Sequence, residues 1–144
     1  MQLGTEIKGD QLWDQKGISL SLSGDGKTLA VGNPYSLNSS LNGNKPAVSV
    51  YSLVKNEWSQ IANINSDVFD NFGYTTTLSS DGNLLAVGGF YGELGSATDN
   101  AGYVKIFENV NGNFTQVGDA ITGDNTNGDE FGFSVDLSSD GSIV

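Results

Sequence analysis

The sequence contains no cysteine, histidine or arginine, and only two of its 144 residues are proline. Without cysteine there are no disulfides, thiolate metal sites or cysteine nucleophiles. Without histidine, imidazole metal sites and histidine-based catalytic triads are excluded within this chain. Lysine and arginine together number 6 against 17 acidic residues, giving a net charge of −11. Because phosphate binding needs clustered cations, we expect no nucleic-acid ligand and no binding to an anionic membrane surface.

Long helical patterns and long apolar runs are also absent from the sequence. No stretch with helical periodicity reaches ten residues, and no apolar run approaches the roughly 20 residues of a membrane span. The 20 glycines, together with many Asn and Ser, favour short strands joined by turns. We therefore expect an all-β protein without membrane insertion.

One segment occurs about two and a half times along the chain. Residues 23–32, SGDGKTLAVG, return as residues 79–88, SSDGNLLAVG, and begin again as residues 138–144, SSDGSIV. The interval is 56 residues from Asp25 to Asp81 and 59 residues from Asp81 to Asp140. Repeats of this length indicate an architecture built from copies of one unit.

Four strands are predicted within each period. Residues 18–23 alternate apolar residues with serine, a period of two that is typical of a strand with one face buried. Residues 84–88 are apolar almost throughout, which suits a strand covered on both faces. The predicted strands are 18–23, 28–32, 48–53 and 57–64 in the first copy, 74–79, 84–88, 103–108 and 113–121 in the second, 133–138 as a further first strand, and 2–7 as an isolated fourth strand.

The connections between these strands support antiparallel pairing. An Asp-Gly pair separates the first and second strands of each copy and is a strong signal for a tight hairpin. Four antiparallel strands in a period of 50 to 60 residues are typical of a β-propeller blade. We predict about two and a half blades, with 1–9 the last strand of a preceding blade, 10–66 and 67–123 two blades, and 124–144 the start of a further one.

The motif that begins each repeat resembles a known family. Residues 131–141 read Phe-Gly-x-Ser-Val-x-Leu-Ser-Ser-Asp-Gly, and residues 72–88 end in Leu-Ala-Val-Gly. These motifs resemble the FG-GAP repeats of integrin-α-like β-propellers, and the resemblance covers essentially the whole chain. It implies a propeller fold, whose members serve adhesion, ligand binding, scaffolding and sometimes catalysis. The first copy departs from the motif, with Lys16-Gly17 in place of Phe-Gly.

The resemblance raises a calcium site, which the residues do not support. Calcium-binding members of the family carry an Asp-x-Asp-x-Asp-Gly loop between the first two strands. Here that link is only Ser-Gly-Asp-Gly or Ser-Ser-Asp-Gly, with a single carboxylate. One carboxylate does not supply the six to eight oxygens that Ca²⁺ prefers. We therefore expect no cofactor, with Asp25, Asp81 and Asp140 acting as turn residues.

Other aspartates recur before the Phe-Gly position. They are Asp10, Asp67 and Asp124, and Asp14, Asp70 and Asp129. One interpretation is cation binding, for which Asp124 and Asp129 are weak candidates because the segment between them is rich in oxygen. The other is that each side chain accepts backbone N–H bonds in the turn between blades. Recurrence in every copy favours the second.

The long links at 33–46 and 89–102 differ completely in sequence although their flanks repeat. Variable loops on a rigid scaffold often make the functional contacts. Tyr35, Phe90 and Tyr91 are therefore candidates for stacking on a sugar or packing on a protein partner; the alternative is that they cover the edge of their own blade. Glu93 and Asp99 are the loop acids available for carboxylate chemistry.

Together these features lead us to expect a non-catalytic propeller module of a secreted or cell-surface protein. Its expected role is adhesion, binding of a protein or glycan ligand, or extracellular assembly. The alternatives are a polysaccharide-active enzyme that uses carboxylates and an intracellular interaction scaffold. Two and a half blades leave strand edges open, so we expect the remaining blades to come from the same longer chain or from identical copies.

Overall fold

The computed structural model describes residues 2–9, 15–34, 47–65, 71–91, 101–124 and 128–144. Within these ranges the chain forms strands and no helix, and so contains no helix long and apolar enough to span a membrane. The strands are β1 Leu20–Leu22, β2 Thr28–Gly32, β3 Val48–Val54, β4 Glu57–Ile64, β5 Thr75–Leu78, β6 Leu84–Gly89, β7 Tyr103–Val110 and β8 Asn113–Thr122. They form two four-stranded antiparallel sheets, ordered β1-β2-β3-β4 and β5-β6-β7-β8.

The predicted all-β fold is confirmed, and β2 and β4 have the predicted bounds. The first strands of the two sheets, β1 and β5, are shorter than predicted, and β3, β6, β7 and β8 are one or two residues longer. The prediction of strands at 2–7 and 133–138 was wrong, because among the described residues no strand is paired with these segments in a hydrogen-bonded ladder. A strand requires the N–H and C=O groups of a neighbour to complete its ladder.

The hairpins follow from residues that tolerate a positive φ. Lys55 and Asn56, between β3 and β4, have φ of 51° and 66°, and Asn111 and Gly112, between β7 and β8, have φ of 56° and 89°. Two consecutive positive φ values produce the backbone twist that matches the strands on either side. The chain therefore reverses in two residues at both places.

The hydrophobic core contains buried side chains from both sheets. Phe72 stacks on Tyr103 with ring centroids 5.6 Å apart and lies 6.2 Å from Phe107. Phe114 of β8 packs against this cluster and is partly buried. The buried members are Ala30, Ala47, Val48, Val50, Ile64, Phe72, Leu78, Leu85, Val87, Tyr103 and Phe107.

The serines in and just before β1, the first strand of its sheet, face the second sheet. Ser19 Oγ donates to the Gly73 carbonyl at 3.0 Å, and Ser21 Oγ accepts from the Leu78 N–H at 2.9 Å. The apolar side of β1 is exposed, with Leu20 63% and Leu22 54% accessible. The alternation in the sequence therefore marks two faces correctly, but the second sheet covers the polar one.

Lys16 occupies the repeat position held by Phe72 in the second copy. Its ammonium lies 5.8 Å from the centroid of the Tyr51 ring. Tyr51 in turn corresponds to Phe107, which Phe72 approaches. A cation over an aromatic face is attracted by the ring's negative charge density. The departure from Phe-Gly in the first copy thus replaces an aromatic pair with a cation–π contact at the same place.

Gly73 permits a close approach between the two sheets. A Cβ built on Gly73 would overlap the carbonyl oxygen of Ala47, and Gly73 also has a φ of +93°. Gly132 repeats this arrangement against Tyr103 with a φ of +87°. Only glycine satisfies both the positive φ and the lack of space.

We predict that Gly73→Ala destabilises the protein more than Gly17→Ala. Both residues have nearly the same φ, +93° and +95°, but a Cβ at Gly17 would have nothing within 4 Å among the described residues. Positive φ costs about 1–2 kcal/mol in each variant. The overlap with Ala47 adds about 1–3 kcal/mol to Gly73→Ala alone. Urea unfolding would measure the difference, and equal losses in the two variants would contradict a tight contact between the sheets.

Candidate functional site

The strand directions define two ends of the described structure. The turn end contains the Asp-Gly hairpins at Asp25 and Asp81 and the β3–β4 and β7–β8 turns. The loop end contains the residues that follow β2 and β6, Asn33 and Phe90, and those that precede β1 and β5. The two ends present different chemistry, one acidic and the other aromatic.

At the turn end, successive hairpins are joined by backbone hydrogen bonds. The Gly24 N–H donates to the Ser80 carbonyl at 2.7 Å, and the Ser80 N–H donates to the Ser139 carbonyl at 2.8 Å. The hairpins line a shallow, open concavity of about 860 Å³. Its lining residues are Gly24, Asp25, Ser80, Asp81, Ser138, Ser139 and Asp140.

Each carboxylate in this concavity is held by its own turn. It accepts a hydrogen bond at 2.6–2.8 Å from the serine hydroxyl two residues before it. It also accepts one at 2.9–3.0 Å from the backbone N–H two residues after it. The residues that show this pattern are Asp25, Asp81 and Asp140. Their role is to close the hairpin.

These hydrogen bonds favour the charged form of each carboxylate and lower its pKa. For Asp25 the backbone N–H of Lys27 has the largest effect. For Asp81 the Ser79 hydroxyl has the largest effect. For Asp140 the Ser138 hydroxyl has the largest effect, and the pKa falls to about 2.

Among the residues that the structure describes, no group of three or more acidic side chains is arranged to hold a metal ion.

The acids near Phe131 also serve a turn. Asp129 Oδ2 accepts a hydrogen bond from the Asp124 N–H at 3.3 Å. This contact supports the interpretation of Asp129 as a turn residue rather than a metal ligand. The corresponding aspartates of the earlier copies, Asp10, Asp14, Asp67 and Asp70, lie outside the described residues.

At the loop end, four aromatic side chains form one cluster. Phe90, which follows β6, lies 4.6 Å from Tyr74, 5.3 Å from Phe133 and 4.9 Å from Tyr91 between ring centroids. Tyr74 and Phe133 are 5.2 Å apart. Phe90 is buried at the centre, whereas Tyr91 is 46% accessible. The exposed ring of Tyr91 therefore packs on the buried ring of Phe90.

The structure brings together two of the five predicted loop residues, Phe90 and Tyr91. The other three, Tyr35, Glu93 and Asp99, lie outside the described residues. Tyr74 and Phe133 were not among the residues predicted for this site. A signal was available, because each directly follows the glycine of a Phe-Gly pair, the position that Ile18 holds after Lys16-Gly17 in the first copy.

A buried amide lies at the same end of the first sheet. Asn33 is 1% accessible, and among the described residues neither its Nδ2 nor its Oδ1 has a hydrogen-bond partner. Its backbone N–H donates to the Ala47 carbonyl at 2.7 Å. Burying an amide without partners is costly, and such groups are commonly satisfied by an ordered water molecule.

Comparison with known proteins finds no family model that matches the chain and no curated protein that matches it. The resemblance to FG-GAP repeats therefore depends on the motif residues alone.

We predict that Ser138→Ala raises the pKa of Asp140 from about 2 toward 3.8, because the Ser138 hydroxyl is the main group that lowers it. Since the folded pKa lies below the unfolded one, ionised Asp140 stabilises the fold above pH 3.8, and this stabilisation is lost as pH falls toward 2. Carboxyl ¹³C NMR titration would measure the pKa. Ser138→Thr, which keeps the hydroxyl, is the control, and an unchanged pKa in Ser138→Ala would contradict the assignment.

Proposed function

We propose that the two sheets are consecutive blades of an FG-GAP-like β-propeller. The support is that the step from the first sheet to the second is repeated from the second to residues 131–144. Gly73 approaches Ala47 as Gly132 approaches Tyr103. The Gly24–Ser80 hydrogen bond is likewise followed by the Ser80–Ser139 hydrogen bond. Repetition of one rotation about a common axis is what generates a propeller.

We propose further that this propeller is a non-catalytic binding module of a secreted or cell-surface protein. The extracellular location is an expectation from the family resemblance. The binding role is inferred from the aromatic cluster at the loop end, where the exposed Tyr91 packs on the buried Phe90. An exposed ring on a fixed support presents a flat apolar face at low conformational cost. The sequences that adjoin it do not repeat, as expected of ligand-selecting loops.

The ligand class that best fits this cluster is a glycan. A sugar ring offers apolar C–H groups that stack on an aromatic face, while its hydroxyls bond to nearby polar groups. The net charge of −11 disfavours anionic ligands. A neutral glycan is therefore the favoured ligand for the loop end. The enzyme alternative depends on Glu93 and Asp99, and no described contact favours it.

We predict that a glycan array will identify neutral glycans bound by the chain, and that Tyr91→Ala will weaken this binding about fivefold, which corresponds to about 1 kcal/mol for one stacked ring. Isothermal titration calorimetry would measure the affinity. Val110→Ala is the matched control, since Val110 is 49% accessible and lies at the turn end.

Three results would count against the proposed function. An array without bound glycans would exclude this ligand class. Equal affinities of Tyr91→Ala and the unmodified chain would exclude the aromatic cluster as the binding site. Release of shortened oligosaccharides during incubation would show turnover and favour the enzyme alternative.

A further inference from the structure

The start of β8 reads Asn113-Phe114-Thr115, which is an Asn-x-Thr pattern. Such a pattern, with any middle residue except proline, is the acceptor for N-linked glycosylation in secreted proteins. A pattern this short also arises by chance. The positions of its three residues in the fold therefore decide whether it can carry a glycan, which is bulky and needs an exposed site.

The three residues alternate between the two faces of β8. Phe114 is partly buried against the hydrophobic core, whereas Asn113 and Thr115 are exposed. Residues two apart in a strand project to the same face. The amide and the hydroxyl that the pattern requires therefore lie together on an exposed face, while the aromatic residue between them anchors the strand to the core.

Asn113 is the first residue after the two-residue turn at 111–112, and it pairs with Val110 across the hairpin. The turn is closed by another side chain, since the Gly112 N–H donates to Asn109 Oδ1 at 2.7 Å. In the described part of the chain, the Asn113 side chain itself makes no hydrogen bond. A glycan attached to its Nδ2 therefore breaks no contact of the hairpin.

The equivalent hairpin of the first sheet shows that these positions stay exposed when another sheet packs alongside. Glu57 and Ser59, at the start of β4, correspond to Asn113 and Thr115. Both are exposed, although the second sheet packs against the first and Val50 of β3 is completely buried in the shared core. The exposure of the hairpin therefore does not depend on an uncovered sheet.

We propose that Asn113 is an acceptor site for an N-linked glycan. Its Nδ2 forms a bond with the anomeric carbon of an oligosaccharide carried on a lipid pyrophosphate. The bond from that carbon to the pyrophosphate oxygen breaks, the lipid pyrophosphate leaves with the electron pair, and one amide proton is released. This inference rests on the secreted or cell-surface location in the proposed function, because the secretory pathway supplies the lipid-linked donor.

A glycan at Asn113 lies at the turn end, at the other end of the strands from Tyr91. It therefore leaves the proposed ligand site at the loop end accessible. Its first sugar lies beside Val110, which is directly opposite in the hairpin and 49% accessible. A bulky hydrophilic group at this place keeps the turn end in solvent.

Secretion of the full chain from a eukaryotic cell, directed by an added leader peptide, tests the acceptor site. Peptide N-glycosidase removes the glycan and leaves aspartate in place of the asparagine, so mass spectrometry measures the occupancy of each site. We expect Asn113 to be glycosylated in most of the secreted molecules. The second Asn-x-Ser pattern, at 38–40, lies outside the described residues and is measured separately on its own peptide.

Two kinds of variant serve as controls. Thr115→Val removes the hydroxyl at nearly constant size and should abolish the glycan at Asn113, whereas Thr115→Ser should retain it. Glu57→Asn/Ser59→Thr transfers the pattern to the equivalent hairpin and should add one glycan. An unmodified Asn113 in the secreted chain, a glycan that persists in Thr115→Val, or no added glycan in the Glu57→Asn/Ser59→Thr variant would overturn the proposal.

Urea unfolding of the secreted chain before and after removal of the glycan provides a second measurement. We expect the glycosylated chain to be at least as stable, because the attachment point is exposed and makes no hydrogen bond within the hairpin. A less stable glycosylated chain would show that the fold does not accommodate the glycan and would overturn the proposal.

The proposed function can fail separately from the acceptor site. The glycan array uses the unglycosylated chain produced in bacteria, so its result does not depend on Asn113. Fractionation of the source cells tests the location. A cytosolic location would contradict the secreted or cell-surface assignment, whereas an unmodified Asn113 in secreted molecules would contradict the acceptor site alone.

Discussion

The contact between the backbones of neighbouring sheets is the constraint on which the rest of the structure depends. Gly73 lies against the Ala47 carbonyl, and Gly132 lies against the Tyr103 carbonyl, at distances that leave no room for a Cβ. This proximity allows Ser19 Oγ to donate to the Gly73 carbonyl at 3.0 Å. A larger residue at Gly73 would separate the sheets and remove this hydrogen bond.

The residues that close the hairpins and the residues proposed to bind a ligand lie at opposite ends of the strands. At the turn end, carboxylates such as Asp81 accept hydrogen bonds from their own hairpins. These hydrogen bonds lower the pKa of the carboxylates and occupy their oxygens within the turn. At the loop end, Tyr91 is exposed on a buried aromatic support, next to sequence that does not repeat. The residues that hold the repeat together are thus separate from those proposed to bind a ligand, so the loops are free to vary without loss of the fold.

Much of the fold was predictable because it depends on local sequence. The Asp-Gly and Asn-Gly turns position the hairpins, and apolar runs such as 84–88 position the buried strands. The aromatic cluster was predicted only in part, since Tyr74 and Phe133 join Phe90 across different repeats. Contacts between residues far apart in the chain depend on the rotation between sheets, which no local pattern contains. Residues 133–138 also have strand-like sequence, but among the described residues no strand pairs with them.

The sequence by itself determined the all-β class, the repeat, the strand order and the turns, because each of these is set by residues close together in the chain. Only the tertiary structure decided which face of β1 and of β5, the first strands of the two sheets, is buried. Ser19, just before β1, and Ser21 of β1 contact the second sheet, while Leu20 and Leu22 are exposed. In β5 the equivalent apolar side is covered, as Leu78 shows. The physical reason is that a period of two distinguishes the two faces of a strand equally well, and the neighbouring sheet determines which face is removed from water.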